Sequence, residues 1–266
     1  MTAQLEKVVQ WYPGHMARAM RRIGDYLKLV DLVIEVVDAR VPRSGRNPSL
    51  GALIGKRPRI VALVREDLAE PAATKAWIES FARHGLEAIA VDGRSQRSVA
   101  RIGTSMMRWA KQRGGISRAL VAGLPNSGKS SIINGLLRRS AAKTENRAGV
   151  TRQLQWFRLP PNVELMDTPG VLVPKIATAR AQWMLAISGA LPRERYDPEE
   201  VAGEFHRWLL QRRPRTRVPS LDAFAAERGF VRRGGAIDYH NAARSYIRDL
   251  NEGAFGRITF ETADDA

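Results

Sequence analysis

Two regimes of apolar and polar spacing divide the 266 residues. In the first, short β-branched runs recur: Leu32-Val-Ile-Glu-Val-Val37, flanked by Asp31 and Asp38, and Arg59-Ile-Val-Ala-Leu-Val64. Their length and near-continuous hydrophobicity predict buried strands. Further apolar runs fill 86–91 and 117–122, while 70–84 and 98–113 carry helical spacing. Strands alternating with helices predict βαβ units, hence an α/β domain with a mostly parallel sheet and helices on both faces. The runs 153–159 and 162–166, joined by Pro160-Pro161, predict an antiparallel pair at one edge. From about Ile176 the strand-like runs stop, and 180–188, 198–211, 220–228 and 238–250 read as helices. We therefore expect one domain over 1–175, with an N-terminal extension, and a smaller all-helical domain over 176–266.

Charge adds a partner class to this outline. Lys and Arg number 43 against 27 Asp and Glu, a net charge of +16. Such an excess favours a polyanion: RNA, DNA or an anionic membrane surface. A merely solubilising surface is the plainer alternative. No apolar run approaches the ~20 residues that span a bilayer, and 1–10 lack the apolar core of a secretory signal. We expect no membrane span. The absence of Cys excludes disulfides and thiolate metal sites and is compatible with a reducing cytosol. The basic link Arg212-Arg-Pro-Arg-Thr-Arg217 inside the helical half is a solvated loop or a nucleic-acid contact.

The chemistry is concentrated in Gly123-Leu-Pro125-Asn126-Ser127-Gly128-Lys129-Ser130, which fits G-x-x-x-x-G-K-S between an apolar strand and the helical stretch that begins at Ser131. In such a phosphate-binding loop the glycines let backbone N–H groups curl around phosphate oxygens and the helix N-terminus adds its positive end. Lys129 then reaches the β- and γ-phosphates, and Ser130 offers a hydroxyl to Mg²⁺. Asp167-Thr-Pro-Gly170 follows the next apolar strand and fits the D-x-x-G switch of GTPases. There Asp167 would hold Mg²⁺ through water and the Gly170 amide would sense the γ-phosphate. Thr151, in the polar stretch between the two motifs, could close onto Mg²⁺ when triphosphate is bound, as a switch loop does.

A guanine-specificity strand normally follows the phosphate loop, yet the comparable segment here, Val64-Arg65-Glu66-Asp67, precedes it. The order is rotated. Together with Trp11-Tyr-Pro-Gly-His-Met16, Asp38-Ala-Arg-Val-Pro-Arg-Ser-Gly-Arg-Asn-Pro48, the loop with Pro125-Asn126, Asp167-Thr-Pro-Gly170 and the late Gly253-Ala-Phe-Gly256-Arg-Ile-Thr-Phe-Glu261, it resembles the RbgA/YlqF family of circularly permuted ribosome-biogenesis GTPases. The resemblance covers nearly the whole chain. It implies binding and hydrolysis of GTP with Mg²⁺, a large-subunit precursor and ribosomal RNA as partners, and a helical domain that contacts the RNA. A cytoplasmic monomer is expected, with an organellar matrix as the other compartment. The resemblance also implies that Asn126 helps hold a K⁺ ion against the phosphates and that His15 is the catalytic histidine. A D-x-x-G glycine is often followed by Gln, but Val171 stands there and has no polar atom to orient water.

The chain departs from the family at the base. Asp67 can accept from the two donors on the Watson–Crick edge of guanine, but Val64 and Arg65 stand where the family has Asn and Lys. Two other readings stay open: a nucleotide-binding RNA scaffold with little turnover, and a P-loop ATPase acting on nucleic acid.

Overall fold

The computed structural model describes residues 21–113, 117–141, 156–159, 162–168, 176 and 178–263. His15, Thr151 and Gly170 lie outside them, as does Val171. The described chain divides into two units, one of 21–168 with 259–263 and one of 176–258.

The first unit is a six-stranded sheet. After the helical residues 21–27 (α1) come β1 (Leu32–Asp38), α2 (Pro48–Ile54), β2 (Arg59–Val64), α3 (Pro71–Arg83), β3 (Glu87–Val91), α4 (Gln96–Arg113), β4 (Ser117–Gly123), α5 (Lys129–Ala141), β5 (Trp156–Leu159) and β6 (Val163–Asp167). The spatial order is β3-β2-β1-β4-β6-β5. All neighbours are parallel except β5 and β6, the antiparallel edge pair that the Pro160-Pro161 turn predicts.

Every residue of β1 is buried, because helices cover both faces of the sheet. The two-residue period then assigns its side chains. Ile34 and Val36 pack with Ile102 and Met106 of α4 and Ile132 and Leu136 of α5. Val33 meets Ile23 and Leu27 of α1 and Leu50 and Ile54 of α2, while Val37 meets Trp77 and Phe81 of α3. Glu35 is the polar exception within the strand. Its buried carboxylate accepts from Arg46 at 2.9 Å and Arg59 at 3.1 Å. Sequence spacing did not announce α2, which is seven residues long; its start is set by Pro48 and by the Asn47 side chain, which accepts from the amides of Ser49 and Leu50.

The second unit is helical: α6 (Ala179–Ile187), a 3₁₀ turn (Arg193–Arg195), α7 (Pro198–Arg212), α8 (Leu221–Glu227) and α9 (Tyr239–Glu252). Aromatic rings form its centre. Tyr246 of α9 lies 6.1 Å from Phe205, 5.2 Å from Phe224 and 4.7 Å from Phe255, and its hydroxyl donates to the Pro219 carbonyl at 2.8 Å. Ser220 caps α8 and Asp238 caps α9 through backbone amides, while Gly253 ends α9 in the left-handed conformation. Among the described residues no helix is long and apolar enough to cross a membrane.

Candidate nucleotide site

After β1 the chain builds β2 and β3 on one side and then returns to place β4 and β6 on the other. The carboxyl ends of β1 and β4 therefore border the topological switch point of the sheet, where α/β folds open a ligand crevice. Register brings the candidate residues to that edge: Val36 pairs with Gly123, Asp38 with Val64, and Val121 with Asp167.

The loop from Gly123 to Lys129 turns directly from β4 into α5. A Cβ at Gly123 would stand 2.4 Å from the Val36 carbonyl oxygen and 2.9 Å from Ser127 Oγ, so only glycine lets β4 pass β1 and turn. Gly128 has φ +93°, a left-handed conformation that favours glycine. Asn126 takes φ +54° at the exposed tip beside Pro125, while Ser127 is buried beneath the loop. Ser130 and Ser131 are exposed in the first turn of α5.

Lys129 is buried, and its ammonium donates to the Leu124 carbonyl at 2.6 Å and to Gly123 at 3.4 Å. Burial pushes its pKa down to about 8, against the opposing pull of Asp167. A partly desolvated cation at a helix N-terminus, with no room for a Cβ at Gly123, is an anion cradle. Asp167 ends β6, and the next hydroxyl, Thr168, donates to the Val121 carbonyl at 2.7 Å, which pins this strand end beside the loop. These residues fit a nucleotide phosphate with a Mg²⁺ ion.

At the carboxyl end of β2, Val64 to Asp67 are tied to the phosphate loop and to the loop after β3. Val64 packs its isopropyl group toward Gly128, an apolar contact at the position where the resemblance leads one to expect Asn. Arg65 has φ +59° and bridges two partners, donating to Asp38 Oδ2 at 2.9 Å and to the Asn126 carbonyl at 3.1 Å. Glu66 accepts from the Asp92 amide at 3.1 Å and so ties the loop after β3 to the end of β2. Asp67 is partly exposed, and the guanidinium of Arg94 hydrogen-bonds to its carboxylate.

The sequence reading missed Arg94, which stands in the loop after β3. It also gave no role to Arg40, which binds Asp38 through two side-chain bonds of 3.0 and 2.8 Å. Burial alone would raise the Asp38 carboxyl, but the charges of Arg40 and Arg65 outweigh it and hold the group below its usual range. The only signal available was the Asp38-Ala-Arg motif itself.

Known proteins resemble this chain over nearly its whole length. Residues 118–192 match the family model described as 50S ribosome-binding GTPase. Ribosome biogenesis GTPase A of Bacillus cereus is 37% identical, across 97% of this chain and 95% of that protein. This chain belongs to the ribosome biogenesis GTPase A family. The Thermotoga maritima member is 32% identical over 97% of this chain and 95% of its own length. Two solved family structures, GDP-bound YlqF and GNP-bound YlqF from Thermotoga maritima, each superpose with a TM-score of 0.72, at 29% and 28% identity. They cover 92% and 94% of this chain and all of their own. The family is one of circularly permuted GTPases, so the rotated motif order is its normal order and this chain is a GTP hydrolase of the P-loop class. The scaffold and ATPase readings are not favoured.

Proposed function

We propose that this ribosome biogenesis GTPase acts on a late precursor of the large ribosomal subunit, that 1–175, with 259–263 packed into the same unit, bind and hydrolyse GTP, and that the helical unit 176–258 carries the ribosomal RNA contact. One observation carries the nucleotide half: the glycine-walled loop with Lys129 buried beside Asp167 at the switch point of the sheet. Gly123, Pro125, Asn126, Ser127 and Gly128 surround the phosphates, and Lys129 neutralises them. Ser130 and Asp167, with Thr151, hold Mg²⁺, and Ser131 extends the first turn of α5. Asp67 takes the guanine donors once Arg94 yields a carboxylate oxygen. Asn126 supports a K⁺ ion at the exposed loop tip, and the Gly170 amide senses the γ-phosphate. The chain works as a monomer in the cytoplasm, where a bacterial ribosome precursor is assembled.

Two open arginine clefts in the helical unit support the RNA half. One, of about 520 Å³, is lined by Arg193, Arg244 and Arg248 with Asn241 and Ser245. The other, of about 640 Å³, is lined by Arg213, Arg215 and Arg217 with Phe255, and so contains the basic link. Clustered guanidinium groups suit phosphate oxygens, and an aromatic ring beside them suits an unstacked base.

Phosphate release from GTP and ATP, with and without large-subunit precursor particles, tests the whole reading. GTP turnover should exceed ATP turnover and rise on the particles. Equal turnover of the two nucleotides, or no response to particles, overturns it. The same assay in KCl and NaCl at equal ionic strength tests the monovalent cation, since identical rates would remove K⁺ from the mechanism.

A further inference from the structure

After the helical unit ends at Ile258, residues 259–263 pack within the sheet unit. The attachment is dense. Thr259 and Glu70 exchange two bonds, Glu70 N–H donating to Thr259 Oγ1 at 2.9 Å and Thr259 N–H to the Glu70 carboxylate at 3.2 Å. Phe260 is fully buried, donates its amide to the Arg40 carbonyl at 2.8 Å, and lays its ring 5.8 Å from the Arg40 guanidinium. The buried Glu261 carboxylate accepts the backbone amides of Arg43 at 2.7 Å and Ser44 at 3.0 Å, together with the Ser44 hydroxyl. Trp77 Nε1 donates to the Glu261 carbonyl at 3.2 Å.

From this tail, a chain of polar contacts runs to the phosphate loop. Phe260 and Glu261 hold Arg40 and the turn after it. Arg40 holds Asp38, Asp38 holds Arg65, and Arg65 donates to the carbonyl of Asn126. We propose that Phe260 and Glu261 are positioning residues of the nucleotide site, placing Arg65 against the phosphate loop through the Arg40–Asp38 pair. Resting on the nucleotide-site reading above, this makes tail docking and nucleotide occupancy mutually dependent, since coupling between two sites is reciprocal. The physical basis is the buried ion pair. Charges buried together are costly to separate, so a displaced Arg40 shifts Asp38 and with it Arg65.

Substituting Arg40 or Asp38 would break a buried ion pair and endanger the fold, so the test belongs on the tail. Glu261→Gln keeps the shape but sets a carboxamide NH₂ against backbone donors. Thr259→Val removes one bond of the same tail outside the path to Arg65 and serves as the control. Release of fluorescent GDP from the full-length protein should be at least ~5-fold faster for Glu261→Gln than for wild type, and the preference for GDP over ADP should shrink. Thr259→Val should leave both unchanged, whatever it does to thermal stability. Equal release from wild type and Glu261→Gln overturns the proposal, as does equal acceleration by both variants, which would mean general loosening of the tail. If Glu261→Gln fails to fold, amide exchange in the wild type decides. Saturating GDP should slow exchange at Arg43 and Ser44, and unchanged exchange there overturns the proposal. GDP binding by the wild type separately tests the nucleotide site itself.

Discussion

At the scale of single residues the most informative group is Lys129. Its ammonium is buried and titrates near 8, because desolvation disfavours the charge more than Asp167 restores it. Nucleotide phosphates brought against it favour the charged form, so the pKa rises on binding and a proton is taken up. GDP affinity should therefore be full below pH 8 and fall by up to tenfold per pH unit above it. Titration calorimetry between pH 7 and 10, in buffers of different ionisation enthalpy, measures both effects. Asp38 runs the other way. Its folded pKa is depressed, so its ion pair contributes stability that is present above the unfolded value near 4 and is lost as pH falls through the folded one. His15 is the residue to test for the attacking water, given that Val171 offers no polar atom. His15→Ala should leave GTP affinity nearly unchanged and lower particle-stimulated turnover by on the order of 10² or more. Full stimulation in the mutant would make His15 structural.

At the scale of elements, the site depends on how closely β4 passes β1 before α5 begins. The hypothetical Cβ at Gly123, 2.4 Å from the Val36 carbonyl oxygen, would meet backbone rather than a movable side chain. Gly123→Ala should therefore part the two strands at their carboxyl ends. Such overpacking costs about 1–3 kcal/mol, and the loop would lose its phosphate geometry. Denaturant midpoints should fall and GDP titrations should show no saturation, whereas a stable variant that still binds GDP would show that the loop tolerates the crowding. The β-branched composition of β1 and β2 and the alternating helices made this element order legible in advance. The neighbours of each strand were less so. A short helix such as α2 was missed because seven residues carry too few turns for a periodic signal.

At the scale of the whole molecule, the net charge of +16 and the arginine clefts of the helical unit point to a salt-sensitive association. Each phosphate contact releases counterions, so binding to large-subunit particles should weaken steeply with salt. Deleting everything after Ile176 is a poor probe of this, because it also removes Glu261 from the amides of Arg43 and Ser44 in the sheet unit. Replacing Arg193 and Arg244 by alanine in the full-length protein is cleaner. Co-sedimentation across a salt series should show weaker binding and a shallower slope, by about one unit per lost phosphate contact. An unchanged slope would move the RNA contact elsewhere.

By itself the sequence determined the features that local chemistry encodes. The phosphate loop lies contiguously between strand and helix, Asp167-Thr-Pro-Gly170 follows directly on an apolar strand, and the change of spacing near Ile176 marks where strands give way to helices. The rotated motif order needed only the relative positions of Asp67 and Gly123. Tertiary structure decided what depends on residues distant in the chain meeting at the carboxyl edge of the sheet. Arg65 crosses to Asp38 and Asn126, Arg94 reaches Asp67, and Glu261 returns over two hundred residues to the turn after Arg40. No local period records such pairings. They follow from parallel register and from the need of each buried charge for a partner, and both exist only once the sheet is assembled.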